Sequence, residues 1–266
     1  MNETQRIIAE RTSLRAFAQR PLAQEAIDTI IWGAMRAPTA GNMMFYSIIQ
    51  VTDQEKKEIL ATACDNQPFI ATAPLVLLFL ADMQRWYDLY EASGVVELCE
   101  TQGLEFRTPA ESDLLLACCD ALVAAQNAVI TAESLGIGSC YIGDIMGHIE
   151  THREIFDLPK LVFPITVLCF GYYPKKRRGE TPRFPQKYIH FQDRYKRLSS
   201  DELGEMLAHA RKRLPSGNRY IQGAGNIGQH YYLKKTATDC TWEMERSVKV
   251  AINDWLRYRP NVHTGS

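Results

Sequence analysis

The segment Arg11-Thr12-Ser13-Leu14-Arg15 places two guanidinium groups and a hydroxyl at alternate positions. In an extended chain alternate side chains project to the same side, so Arg11, Ser13 and Arg15 would offer two fixed positive charges with a donor between them. That set suits a phosphate dianion. A charge-assisted bond from a guanidinium to an anion is worth roughly 1.5 to 3 kcal/mol, against about 0 to 1 for an exposed ion pair with a carboxylate. The cluster therefore gains more from a ligand than from the protein surface. The competing reading is a pair of solvated charges following a short helix.

Other residue types with chemical potential point to less. The seven cysteines, at 64, 99, 118, 119, 140, 169 and 240, are odd in number and contain no Cys-x-x-Cys pair, which reads as reduced core residues. Cys140 as a catalytic thiol is disfavoured because its apolar strand shows no neighbouring charge to lower its pKa. His148 and His152 could share a helix face as metal ligands, but no third ligand is spaced to close a site, so a surface helix is expected. Gly223-Ala-Gly225-Asn-Ile-Gly228 fits the G-x-G-x-x-G string of dinucleotide-binding folds. That string works only in the turn from a strand into a helix of a βαβ unit. Here Pro215-Ser-Gly-Asn precedes it and too little chain follows, so a loop is expected.

A chain of 266 residues, 46% apolar and 10% aromatic, can bury a sizeable core. Thirty basic residues against 31 acidic give a formal charge of −1 and a pI near 6.6, which supplies no field to collect a polyanion and argues against nucleic acid. The N-terminus lacks a signal-peptide pattern and the longest apolar run, 74–81, is too short to span a bilayer, so no membrane association and a cytoplasmic location are expected.

The elements that must carry these residues alternate in type. Apolar positions 27, 30, 31, 34 and 35 predict an amphipathic helix, and 45–52 reads as a strand. Thr52-x-x-Glu55 is a capping box opening another helix. Residues 75–81 read as a fully buried strand. A long helix runs from Ser112, a candidate N-cap, to Gly136, with polar positions Asp113, Asp120, Asn127 and Ser134 every seven residues. Its remaining surface is nearly all apolar, so it belongs at the centre of the fold or of a subunit interface. A strand at 139–142, a helix at 149–156 and a strand at 162–170 follow. The pattern is α+β on a mainly antiparallel or mixed sheet. Residues 171–197 form a Pro-, Lys-, Arg- and Tyr-rich surface excursion, and helices near 201–213 and 238–258 make a C-terminal appendage.

Four blocks in order carry a resemblance. They are Arg11-Thr-Ser13-Leu-Arg15 with Phe17, then Ala37-Pro38-Thr39-Ala40-Gly41-Asn42, then Leu135-Gly-Ile-Gly138-Ser-Cys-Tyr141-Ile142-Gly143, and last the strand into Gly171-Tyr172 with Pro182-Arg183-Phe184-Pro185. Together they resemble the nitroreductase family of flavin enzymes across most of residues 1–195. Gln67 and the appendage further resemble its oxygen-insensitive NAD(P)H nitroreductase and flavin reductase group.

The resemblance implies a three-layer α+β fold with a central, mainly antiparallel mixed sheet flanked by helices. Residues 1–197 would form the FMN-binding domain and 198–266 a helical extension. It also implies a domain-swapped homodimer with FMN at each of two interfaces. Arg11, Thr12, Ser13, Arg15 and Arg183 would hold the flavin phosphate and ribityl end. Thr39, Ala40 and Asn42 would reach it from the partner subunit, Gln67 would bond its polar edge, and Tyr141, Ile142 and Gly143 would line the ring, with the Gly143 backbone near N5. Two positions depart from the pattern. Thr181 stands where a lysine is common, with Lys175-Lys-Arg-Arg178 close by either as substitute charge or as a solvated loop. Gln222, with Arg219 nearby, stands where relatives carry an arginine for the NADPH 2′-phosphate, which leaves the choice of NADH or NADPH open.

The activity so implied is hydride transfer from NAD(P)H to flavin, followed by reduction of a nitroaromatic, quinone or free flavin in the same cleft. It needs no side-chain acid, base or metal, which accords with the absence of a triad or paired carboxylates. A flavin-binding carrier or sensor without turnover would show the same phosphate site.

Overall fold

The computed structural model describes residues 1–175, 183–211 and 220–260. Thr181, Pro182, Arg219 and the last three residues of the Lys175-Lys-Arg-Arg178 run lie outside them. Contacts divide the chain into two units, Met1–Arg178 with Glu243–Ser266, and Gly179–Trp242.

The first unit opens with α1 (Glu3–Glu10) and α2 (Gln24–Met35). Strand β1 (Tyr46–Gln50), helix α3 (Gln54–Ala63), strand β2 (Leu75–Asp82) and the short helices α4 (Gln84–Ala92) and α5 (Val95–Thr101) follow. Then come α6 (Glu111–Ser134), β3 (Ile137–Ile142), α7 (Ile149–Phe156) and β4 (Val162–Tyr172). The strands form one antiparallel sheet in the order β1-β2-β4-β3. A single parallel bridge, Ser13 to Ser139, lays the N-terminal segment beside β3.

Strand β2 is buried at all eight positions because it has a core on each face. Leu75, Leu77 and Phe79 pack with Ile30 of α2 and Ala121, Ala124, Ala125 and Ala128 of α6. Val76, Leu78 and Leu80 pack with Leu60 of α3 and with Ile142 and Ile145 on the other side. Period-2 alternation thus feeds two apolar layers, which is why the strand reads as an unbroken apolar run. The Ala-rich face lets α6 approach the sheet closely. Where β4 meets β2, Pro164 pairs with Leu80 and the register slips between Phe79 and Leu80, the one place in a central strand that tolerates a residue without an N–H.

The heptad stripe on α6 is spent on polar partners. The Asp113 carboxylate accepts from the Ala110 amide at 2.8 Å, so the helix is capped there and not at Ser112. Asn127 donates to the Gly33 carbonyl and the Ser134 hydroxyl donates to that of Thr131. Gly136, at φ +73°, closes the helix as expected. Although no uninterrupted apolar run spans a bilayer, α6 has the length and mean hydropathy (1.7) of a membrane span. Its alanine face belongs to the core of this unit. For α3 the cap is Asp53, one residue after Thr52, accepting from the Lys56 amide at 2.9 Å.

Helix α10 (Asp239–Leu256), which belongs to this unit from Glu243 onward, buries Ala251 and Trp255 against Phe163, Leu161 and Leu114. The second unit holds α8 (Ser200–Arg211) and α9 (Ile227–Tyr231). The G-x-G-x-x-G string lies there, with Asn226 capping α9 and no strand before it among the described residues.

Candidate functional site

The Arg11 segment is positioned by two bare patches on the sheet. Gly138 and Gly171 face each other across β3 and β4. A Cβ on Gly138 would come within 2.7 Å of Leu14 Cδ2, and one on Gly171 within 2.6 Å of the Phe17 ring. Leu14 and Phe17 therefore lie flat on glycine. The Leu14 amide donates to the Ser139 carbonyl and the Ala18 amide to the Tyr172 carbonyl, each at 2.9 Å. With Leu14 turned to the sheet, Arg11, Ser13 and Arg15 take the other side, Ser13 and Arg15 exposed and Arg11 half-buried.

All three lie near Cys140, and Arg11 lies near Tyr141 as well. Burial pushes the Cys140 thiol above its ordinary value, while the Arg15 charge, the Ser13 hydroxyl and the Arg11 charge pull it back. Burial likewise raises the Tyr141 phenol, against Arg11. This corrects the expectation that no charge lies near Cys140. Two do, and desolvation outweighs them, so the thiol stays protonated inside the sheet. No ion pair engages Arg11 or Arg15 among the described residues, although Arg6, Arg85, Arg107, Arg153 and Arg246 all have carboxylate partners.

A second cluster forms where β3 ends. Gly143 begins a 3-10 turn, Asp144–Met146, and the Asp144 carboxylate accepts from Gln67 Nε2 at 2.8 Å. The same Nε2 donates to the Cys64 carbonyl at 2.8 Å, and left-handed Asp65 and Asn66 turn the chain to bring Gln67 there. Gln67 and Gly143 thus meet through Asp144, for which the sequence held no signal. At Gly143 φ is −84°, and a Cβ would meet only Met146 Cε, at 3.9 Å. Neither backbone conformation nor packing within the chain demands a glycine there. Ile142 is buried in the core, so its backbone is what it can offer a ligand. The Tyr141 hydroxyl donates to Gln126 Oε1 at 3.2 Å.

The third cluster is the loop from α2 to β1. Asp120 of α6, only 5% exposed, accepts from the Thr39 hydroxyl, from the Ala40 amide at 3.1 Å and from the Phe45 amide at 3.2 Å. Ala40 to Asn42 form a 3-10 turn whose Gly41 and Asn42 are exposed. Arg183 and Gln222 belong to the second unit, where Arg183 is exposed.

The two histidines part company. His152 is wholly buried in α7, and desolvation lowers its pKa to about 4, which corrects the expected surface position. His148 sits at the start of the helix and meets Glu243 of α10 at 3.4 Å.

The nitroreductase family pattern matches residues 8–172, and the chain belongs to the nitroreductase family, a family of oxidoreductases. An FMN reductase [NAD(P)H] of Bacillus subtilis is 35% identical over 203 residues, 76% of this chain and 78% of its own. The oxygen-insensitive NADPH nitroreductase of Salmonella typhimurium is 30% identical over 74% of this chain and 77% of its own. Among solved structures, a nitroreductase from B. subtilis superposes with a TM-score of 0.76 at 26% identity, covering 94% of this chain and 98% of that one.

Proposed function

We propose that this chain is a cytoplasmic, homodimeric FMN oxidoreductase that draws on NAD(P)H and reduces nitroaromatics, quinones or free flavin by a ping-pong mechanism. The observation that carries the reading is the convergence of Arg11, Ser13 and Arg15 beside Cys140, with neither guanidinium engaged by a carboxylate among the described residues. Two cations without a carboxylate partner among the described residues, beside a sheet edge, suit a dianionic phosphate. Over Gly143, where among the described residues a Cβ would meet only Met146 Cε at 3.9 Å, a flat ring can lie against backbone.

Bound FMN would supply the redox chemistry, accepting hydride from the nicotinamide and passing two electrons to the second substrate. The chain's own residues bind and orient. Arg11, Thr12, Ser13 and Arg15 would hold the phosphate and ribityl end. Gln67, both Nε2 protons given to Asp144 and the Cys64 carbonyl, would present its amide oxygen as an acceptor to the polar edge. Tyr141, Ile142 and Gly143 line the ring, the last offering its N–H, and Thr39, Ala40 and Asn42 come from the partner subunit. A nearby guanidinium stabilises negative charge on the reduced ring, and no side chain is required to move a proton.

Anaerobic titration of the purified protein tests the reading. It should be yellow, hold FMN, and bleach within a second on mixing with NADH or NADPH. Protein that binds no FMN sinks the proposal, and flavin that neither nucleotide bleaches makes the chain a carrier or sensor.

A further inference from the structure

We infer that Asp120 is a positioning residue for the flavin site, its buried carboxylate setting the shape of the loop that offers Ala40 and Asn42 to the cofactor. The inference rests on the proposed flavin reading and adds a residue that lies outside the phosphate and ring contacts.

The loop between α2 and β1 is short and conformationally expensive. Gly41, Asn42 and Met44 all hold left-handed φ values, 58°, 59° and 52°; glycine and asparagine adopt this region readily, but the long side chain of Met44 disfavours it. Such a conformation persists only when its surroundings over-determine it. Asp120 does so. One carboxylate oxygen takes the Ala40 amide, and the other takes the Thr39 hydroxyl together with the Phe45 amide. The Thr39 hydroxyl in turn accepts from the Met44 amide at 2.8 Å, so the strained Met44 is bound into the same network. From the outer side Trp86 Nε1 donates to the Met43 carbonyl at 2.8 Å. Burial of the neighbouring Tyr46 raises its phenol, and the negative charge of Asp120 raises it further. With three polar groups of the loop drawn inward to one carboxylate and a fourth, the Met44 amide, tied to it through Thr39, Gly41 and Asn42 are left exposed at its tip. A mere connection between a helix and a strand needs neither the strain nor the buried acid.

Asp120→Asn is a sharp probe because it keeps the volume and spoils the acceptor count. If the amide oxygen faces Ala40, the Nδ2 group meets the Phe45 N–H, and if it is flipped, Nδ2 meets the Ala40 N–H. Neither orientation satisfies the loop. Thr39→Val is the milder probe, removing the relay to Met44 while keeping side-chain shape. In full-length protein purified with FMN, Asp120→Asn is expected to weaken FMN binding on the order of tenfold or more, and Thr39→Val by several-fold. Both should alter the visible circular dichroism of the flavin at saturating FMN and speed hydrogen exchange of the Ala40 and Met44 amides.

Wild-type dissociation constant and flavin dichroism in both variants, with only a lower melting temperature, would make Asp120 a stability residue and overturn the inference. If Asp120→Asn does not fold, Asp120→Glu, which keeps the charge but displaces the acceptor oxygens, is judged by the same criteria. Wild-type protein that takes up no FMN sinks the flavin reading itself. Faster exchange in the variants of such a protein would show that Asp120 shapes the loop for something else.

Discussion

Replacing Arg11 or Arg15 by alanine removes a cation that has no ion-pair partner among the described residues, so the folded chain loses little while the ligand loses a charge-assisted contact. FMN affinity should fall on the order of ten- to a hundredfold for each, measured by isothermal titration, with the melting temperature nearly unchanged. If instead stability falls and affinity holds, the two arginines are structural. Gly143→Ala separates protein from ligand in the same way. Its φ of −84° accepts alanine, and the nearest atom to the new methyl is Met146 Cε at 3.9 Å. Unfolding free energy should change by less than about 0.5 kcal/mol. FMN binding should weaken sharply, and undiminished affinity would remove Gly143 from the ring contact.

At the scale of elements the buried imidazole of α7 sets an acid limit. His152 titrates near 4 in the fold against 6.5 ordinarily, because burial disfavours its charged form. A base with a lowered folded pKa binds fewer protons folded than unfolded between those values. Its stabilising contribution is therefore complete above about pH 6.5 and lost as pH falls to 4, on the order of 3 kcal/mol in all. Urea unfolding at pH 7, 5.5 and 4.5 should show that loss, and His152→Leu should flatten it. A slope that survives the substitution places the acid sensitivity elsewhere.

His152 also shows what a sequence hides. It stands three residues after buried Ile149 on the inner face of α7, yet its polarity reads as solvent-exposed. The sheet strands and the longer helices were legible, because α2, β2, α7 and β4 carry strong periodicity or unbroken apolar runs, whereas the short helices α4, α5 and α9 were not. Caps were off by one or two residues, at Asp53 and Ala110, since each hangs on one hydrogen bond among adjacent candidates. The Arg11, Ser13 and Arg15 cluster was legible because it is local to one extended segment. The bonds from Gln67 to Asp144 and from Ala40 to Asp120 join residues 77 and 80 apart, and only packing of α6 and β3 against the sheet brings them together.

The whole molecule adds a surface that one chain leaves uncovered. On α6, Leu115 is 67% exposed, Leu122 is 40% exposed and Cys119 is exposed, positions four and three residues apart that form a single helical stripe. Trp32 of α2, 63% exposed, and Ile8 of α1 are further large apolar groups on helices of the same unit. Burying each such side chain is worth roughly 1.5 to 3 kcal/mol, and a chain working alone would have little reason to leave several in water. The proposed homodimer gives them a partner and explains why α6 is apolar both toward its own sheet and away from it. Substituting Leu115→Glu together with Leu122→Glu puts like charges on both sides of a two-fold interface, where residue meets residue. Analytical ultracentrifugation at micromolar concentration should then show a monomer. If Thr39, Ala40 and Asn42 act across the interface, the monomer should lose FMN although Arg11, Ser13 and Arg15 are intact. A monomer that keeps FMN at wild-type affinity would place the whole flavin site within one chain, and an undisturbed dimer would move the interface off this face of α6.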